Sequence, residues 1–326
     1  MDHDIAIKLL LRLHRGDFFT AEQLKSIYQL TTAALQKVIS RLKEMGTEII
    51  CENQGYRLQH PFSLFQEDKI KQYLPEQLKE HVQVNALFST DSTNTQAPLL
   101  ADNRYELSLC VADHQTAGRG RQANRWESPP GRNCYSSLLW YTDLQVAALD
   151  GLSLIAGLAI VKVLTKFGAN DLKLKWPNDV FWQQKKLAGI LVEIDLCKQK
   201  KTQIVIGAGV NLYLPEMVKQ KIKQPVTDVY SILRLLPDKN QLVACFTAQM
   251  AKYLKTFYQF GFLPFYRLWN KYNLYASQHV ILYSGNYYHE GLCVGVSQQG
   301  NLLIKKTDGI HAFSGGEISL KKKIAV

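Results

Sequence analysis

Arg119 and Arg121 stand among glycines in the stretch GRGRQA at 118–123. A guanidinium fork suits carboxylate and phosphate, and glycine lets the backbone close over whatever the forks hold. The same six residues fit the dinucleotide fingerprint G-x-G-x-x-G/A through Gly118, Gly120 and Ala123. That fingerprint works only between a strand and a helix whose N-terminus receives the pyrophosphate. The strand is there: Leu107, Leu109 and Val111 alternate with Ser108, Cys110 and Ala112. The helix is not, because residues 124–131 read NRWESPPG, and paired prolines followed by glycine break a helix within a turn. The dinucleotide reading is rejected. An anion-binding lid and an ordinary solvated loop both remain for this segment taken alone.

Four further segments carry groups that a small polar ligand and an anion would need. DSTN at 91–94 supplies two hydroxyls and an amide, and KWPNDV at 175–180 gathers Lys175, Asn178 and Asp179 around a turn. KKLAGIL at 185–191 sets Lys186 shortly before Gly189, and GAGVN at 207–211 puts small residues in a strand, where a ligand could lie against backbone. Each is weak singly, since an Asn-Asp turn is usually only a turn and a lysine before a strand is usually solvated. The chain has no H-E-x-x-H, no G-x-S-x-G elbow and no Walker loop. The chemistry is therefore cationic rather than nucleophilic: Arg119, Arg121 and Lys186 are tools for holding carboxylate and phosphate while charge shifts between them.

Elements able to position these groups are legible on either side. Ile5, Leu9, Leu10 and Leu13 recur at helical spacing up to Gly16, and two short helices follow. Thr20 with Gln23 forms a capping box for the first, Thr31 or Thr32 caps the second, and Gly46 stops it. EIICENQGYRLQ then alternates about a turn at Asn53-Gln54-Gly55, which predicts a two-stranded wing. A helix–turn–helix with a wing reads DNA through its second helix, where Thr32, Gln36, Lys37, Ser40 and Arg41 are the candidates; the same polar face would suit a protein-interaction module. Pro61 and the polar stretch after it predict a linker. LSLIAGLAIVKVLTKF at 152–167 predicts a long apolar helix, 173–213 an antiparallel set of strands, and 241–260 and 263–275 two more helices. The last fifty residues predict short strands closing a small barrel, with turns at Gly285-Asn286, Gln298–Gly300 and Asp308-Gly309.

At 326 residues and 46% hydrophobic content the chain can bury a large core in two or three domains. No apolar run approaches the ~20 residues of a membrane span, and the acidic start without a cleavage pattern argues against a secretory signal. Six scattered cysteines without C-x-x-C argue against zinc and disulfides, and for the reducing cytoplasm. The net charge of +11 suggests an anionic partner, yet residues 1–66 hold eight Lys/Arg against seven Asp/Glu, so the basicity lies mostly elsewhere.

In order, DSTN, Q-x-A-G-R-G-R-x-x-x-x-W-x-S-x-x-G-x-N, K-W-P-N-D, K-L-A-G-I-L-V-E, G-x-G-x-N and G-G-E-I-S-L resemble the biotin–protein ligase family over nearly the whole chain. The N-terminal helix–turn–helix makes the chain similar to the bifunctional form, which also represses transcription of biotin genes. The resemblance implies an α+β chain: a winged helix-turn-helix over 1–65, a catalytic domain over 66–276, and a small SH3-like β-barrel over 277–326. The catalytic domain would carry a central mixed or antiparallel sheet with helices, of the class II synthetase kind.

The chemistry implied is formation of biotinyl-5′-AMP from biotin and ATP with Mg²⁺. Transfer to a lysine of the biotin carboxyl carrier protein of acetyl-CoA carboxylase would follow. By motif position, Ser92, Thr93, Asn94, Gln115, Trp126 and Gly189 would hold biotin, with Gly118, Arg119, Gly120 and Arg121 as lid. Lys186 would contact the biotin carboxylate and the α-phosphate, as a catalytic group together with Arg119, Arg121 and Asp179. Arg121, Lys175, Asn178, Asp179, Lys186 and Asn211 would line the nucleotide, joined by Glu317 and Lys321; no metal ligand is assigned. Operator DNA and a homodimer formed on adenylate binding are the further partners implied, with no membrane. The segment after GAGVN, expected to close over adenine, holds Met217, Val218 and Ile222 but no tryptophan, which points to weaker adenylate-triggered ordering. The alternatives are a ligase whose N-terminal module no longer binds DNA, a lipoate–protein ligase and a ligand-sensing transcription factor. The lipoate enzymes carry an R-R-x-x-G-G-G type loop that this chain lacks.

Overall fold

A computed structural model of the chain describes residues 2–196, 201–284, 287–314 and 318–322. Helix α1 (Asp2–Leu13) buries Ala6, Leu9, Leu10 and Leu13 and ends before Gly16 at φ 90°. Strand β1 (Phe19–Thr20) leads into α2 (Ala21–Tyr28), and α3 (Thr32–Glu44) follows. Both sequence-predicted caps form: Gln23 N donates to Thr20 Oγ1 at 3.1 Å, the Gln23 side chain answers at 2.8 Å, and Ala34 N donates to Thr31 Oγ1 at 3.2 Å. Leu35, Val38, Ile39 and Leu42 turn one face of α3 inward. Strands β2 (Ile49–Glu52) and β3 (Gly55–Leu58) form the expected hairpin. Its turn is tighter than expected, because Asn53 and Gln54 alone take φ of 45° and 57° and Gly55 already belongs to β3. β1 pairs with β3, giving a three-stranded sheet where two strands were expected.

The linker expected after Pro61 is structured instead. It forms α4 (Glu67–Tyr73) and α5 (Glu76–Lys79), and Ile70 and Leu74 sink into the main core. A single row of apolar side chains is enough to dock a helix this short, and the polar remainder hid it.

Seven strands make the central sheet: β4 (Val82–Thr90), β5 (Leu107–Gln115), β6 (Cys134–Thr142), β7 (Lys173–Lys175), β8 (Asp179–Trp182), β9 (Lys185–Leu196) and β10 (Thr202–Val210). Their order is β4-β5-β6-β10-β9-β8-β7, with β4 parallel to β5 and every other pair antiparallel. The sheet is therefore mixed. Helix α6 (Thr93–Leu100) covers one face through Ala97, against Cys110, Leu139 and Val205. On the other face lies α7 (Leu152–Lys166), stopped by Gly168 at φ 100°. With the turn before it, α7 spans Val146–Lys166, 21 residues of mean hydropathy 1.9, so one segment does reach membrane-crossing length and composition. Leu154, Ile155, Leu158, Ile160 and Val161 account for that apolarity by burial in the core.

After β10 come two short helices, α8 (Glu216–Lys219) and α9 (Val229–Leu233), then α10 (Lys239–Phe260), capped by Gly261, and α11 (Tyr266–Tyr272), shorter than expected. The C-terminal strands β11 (His279–Ser284), β12 (Tyr287–Val296), β13 (Leu302–Lys306), β14 (Gly309–Phe313) and β15 (Ile318–Lys322) pair antiparallel in the order β14-β13-β12-β11-β15. Among the described residues this ladder is open, with β14 and β15 at its edges, where a closed barrel was expected. The turn expected at Gly285-Asn286 lies outside the described residues.

Candidate functional site

No helix follows GRGRQA: the chain from 117 to 131 runs as loop and turn, pinned by Trp126 N to Gly118 O at 2.9 Å and Gly120 N to Asn124 O at 2.7 Å. The loop crosses the sheet where α6 begins, above β6, β9 and β10. Beneath it a pocket is lined by Ser92, Thr93, Asn94 and Gln115, and by Gly189 with Lys186.

Part of the pocket floor is bare backbone, at Gly189, Gly207 and Gly209. Gly189 on β9 and Gly209 on β10 are cross-strand partners, and the Trp126 ring lies on them so closely that a Cβ would meet it at 2.8 and 2.6 Å. Only glycine at both positions leaves room for an aromatic plate there. Trp126 Nε1 is buried with no hydrogen-bond partner.

The polar wall is a continuous hydrogen-bonded chain. Thr93 N and Oγ1 donate to Gln115 Oε1 at 2.9 and 3.2 Å, and Gln115 Nε2 donates to Ser128 Oγ at 3.2 Å. Ser128 Oγ in turn donates to Trp126 O at 3.1 Å. Ser137 Oγ donates to Asn94 Oδ1 at 2.6 Å and lies 2.7 Å from Thr93 Oγ1. Gly118 sits where a Cβ would press on Gln115 and Ser128. The wall is thus preorganised, its amide and hydroxyl groups oriented by one another rather than by solvent.

Beyond the lid opens a larger cleft, lined by Lys175, Asn178, Asp179, Asn211, Ile222 and Lys223. Arg121, Trp126, Asn178 and Lys186 line both compartments. Lys186 Nζ lies 2.8 Å from Asp179 Oδ1 and 5.3 Å from the centre of the Trp126 ring. The approach to Asp179 is a charge contact, since Oδ1 makes no hydrogen bond of proper direction. Arg121 Nη1 donates to Asn178 Oδ1 at 3.4 Å, and burial pulls its guanidinium below the ordinary value against the opposing pull of Asp179.

Every residue expected around biotin therefore converges on this place, and Lys175, Asn178, Asp179 and Asn211 line the neighbouring cleft. Arg119 differs in role. Its Nη2 donates to both oxygens of Glu193 at 3.1 and 3.2 Å and its Nη1 to Thr95 Oγ1 at 2.9 Å, so the guanidinium is spent on the rim. Of the adenine-side trio, Ile222 lines the cleft, Val218 packs under Gly46 of the N-terminal part, and Met217 is exposed. Glu317 lies outside the described residues, and Lys321 is described only by its backbone pairing with Ile281. On α3, Thr32, Gln36, Lys37, Ser40 and Arg41 are all exposed; Thr32 accepts from Lys25 at 3.2 Å, and Arg41 pairs with Glu44 at 3.3 Å.

Sequence reasoning missed Ser137, Ser128 and Glu193. A serine pair inside the apolar strand CYSSLLWYT was a signal, and so was the strand period that sets Glu193 on the same face as Gly189.

Fold and site together define a mixed-sheet domain in which a polar pocket adjoins a larger cleft, with Arg121 and Lys186 at their boundary. Residues 87–211 match the Biotin/lipoate A/B protein ligase family, and residues 278–321 the Biotin protein ligase C terminal domain. The Bifunctional ligase/repressor BirA of Escherichia coli (strain K12) is 34% identical over 98% of this chain and 98% of its own length. The protein of the same name from Bacillus subtilis (strain 168) is 27% identical over 94% of each. The structure of the Aquifex aeolicus biotin protein ligase in complex with biotin and ATP superposes with a TM-score of 0.63 at 29% identity, covering 74% of this chain and 99% of that one. The chain belongs to the biotin–protein ligase family, on the side of its bifunctional ligase/repressors.

Proposed function

We propose that the chain couples biotin to ATP as biotinyl-5′-AMP, releasing pyrophosphate, and passes the biotinyl group to a lysine of a biotin carboxyl carrier protein. The observation that carries this reading is the position of Lys186 and Arg121 on the boundary between the two compartments. Two anions have to meet there, and fixed cations at the seam remove their repulsion without reorganisation. The ureido group of biotin fits the amide and hydroxyl wall of Ser92, Thr93, Asn94 and Gln115, and the unpartnered Nε1 of Trp126 offers one more donor.

In the first step a carboxylate oxygen attacks the α-phosphorus and pyrophosphate leaves; Lys186 and Arg121 hold the two reacting anions in line. In the second, the acceptor lysine amine attacks the acyl carbon and AMP leaves, while the lid keeps water from the anhydride. Lys175, Asn178 and Asn211 line the nucleotide side. Among the described residues no group of three or more His, Cys, Asp or Glu is built to hold a metal. The buried, hydrogen-bond-free Asp179 Oδ1 fits Mg²⁺ in its usual manner, one carboxylate plus substrate phosphates. Bound there, the ion would supply positive charge to the phosphates.

Residues 1–65 form a winged helix-turn-helix in this reading, followed by a catalytic domain over 66–276 and an SH3-like domain over 277–326. The exposed face of α3 would read an operator in a homodimer formed on the adenylate. The near balance of charge in residues 1–66 favours a second reading, a ligase whose N-terminal module has lost DNA binding. A gel shift with biotinyl-5′-AMP and the upstream region of the biotin genes separates the two.

Incubating the full chain with ATP, Mg²⁺ and either biotin or lipoate tests the ligase reading. Pyrophosphate release is expected with biotin; release with lipoate alone, or with neither, overturns it. Lys186→Ala is expected to slow single-turnover adenylate formation roughly 10²–10³-fold.

A further inference from the structure

Glu193 carries no role in the reaction as proposed, yet three polar contacts beside the pocket end on its carboxylate. It lies on β9 four residues past Gly189, so both share one face of the strand. Its carboxylate accepts from Asn94 Nδ2 at 2.7 Å and from Arg119 Nη2 at 3.1 and 3.2 Å. We infer that Glu193 is a positioning residue that latches the GRGR lid over the biotin compartment by tying Arg119 to Asn94.

The contacts form a closed ring. From Arg119 it runs to Glu193, Asn94, Ser137, Thr93, Gln115 and Ser128, reaches Trp126 O, and returns to the lid where Trp126 N donates to Gly118 O. Two adjoining lid residues, Gly118 and Arg119, are thereby fastened to the wall that would hold biotin, and Glu193 closes the circuit. A carboxylate suits the place because it only accepts, and can take from an amide and a guanidinium at once. It also fixes Asn94, whose Nδ2 faces Glu193 and whose Oδ1 faces Ser137. The Arg119 guanidinium, held by Glu193 and Thr95, acts on the lid rather than as a fork on the ligand. The side chains of Arg119 and Glu193 are 42% and 40% exposed, so the latch is one that salt can loosen.

This inference rests on the ligase reading, and one experiment separates their failures. Biotinyl-5′-AMP is formed on the full chain, and its release is followed without acceptor protein at low and moderate salt. Glu193→Gln is expected to speed release about three- to tenfold, while adenylate formation at saturating biotin stays within about twofold. Added salt should speed release from the parent and hardly alter it in Glu193→Gln, a difference that a purely structural role would not produce. Arg119→Gln breaks the same pair from an exposed loop and should speed release to the same extent, with the double variant no faster than either single one. Unchanged release in Glu193→Gln, a retained salt response, or effects that multiply in the double variant each overturn the latch. A parent that forms no adenylate overturns the ligase reading and the latch together; a parent and variant that hold it equally well overturn the latch alone.

Discussion

Single side chains matter most where the pocket leaves no slack. Gly209→Ala would put a methyl group 2.6 Å from the Trp126 ring, and the ring has the lid behind it and Gly189 beside it. The variant should raise the KM for biotin at least tenfold with a Tm close to the parent's, because displacing Trp126 costs the pocket more than the core. Comparing steady-state biotin titration with a thermal melt checks both halves. Charge obeys a similar logic. Lys186 lies 2.8 Å from the Asp179 carboxylate and Arg121 bonds the neighbouring Asn178, so their worth lies in being fixed before the anions arrive. The motif letters identified these residues. They did not reveal that Arg119 faces the rim, since a one-dimensional pattern says nothing of which acceptor a long side chain meets.

Among the elements, β5 does two jobs from one strand. Its end carries Gln115 into the pocket, and two residues earlier Asp113 is buried against Lys239 of α10 while accepting from Phe65 N at 3.2 Å. Lys239 also sits 4.6 Å from the centre of the Phe65 ring. Burial pushes the Asp113 carboxyl above its ordinary range, against the pull of Lys239. Asp113→Asn would leave the lysine buried without its counter-charge and should destabilise the chain by about 3–5 kcal/mol, whereas Asp113→Leu with Lys239→Met should recover much of that loss. Chemical denaturation of the three variants tests this. At the N-terminus the caps written into Thr20, Gln23 and Thr31 form as the sequence predicts, because a cap is a local contact. α4 was not legible, because the burial of Ile70 depends on a core assembled from residues far along the chain.

Over the whole molecule, the N-terminal part is joined to the catalytic sheet through a buried cation. Arg132 is only 3% exposed, lies over the rings of Phe62 and Tyr213 at 5.6 and 5.3 Å, and has Glu48 4.0 Å away. Tyr213 bonds Glu48 at 3.2 Å, while Arg132 Nε and Nη2 find no hydrogen-bond partner. Glu48→Gln removes the opposing charge and should loosen this joint by about 1–3 kcal/mol. Faster limited proteolysis near residues 59–66, with the catalytic sheet still protected, is the expected result; cleavage unchanged from the parent would contradict it. Arg132 follows Gly131 in the lid motif, and Tyr213 lies two residues past Asn211, so the joint is built from residues near the site in the chain.

By itself the sequence determined the caps, the long apolar helix, the run of antiparallel strands and the identity of the cations, because each depends on neighbours a few positions away. Tertiary structure decided that α4 is a docked helix, that Glu193 and Ser137 hold the pocket wall through Asn94 and Thr93, and that Arg119 turns to the rim. Those outcomes depend on which distant strands and helices meet, and the partners of a carboxylate or hydroxyl are set by that meeting rather than by the residues beside it in the chain.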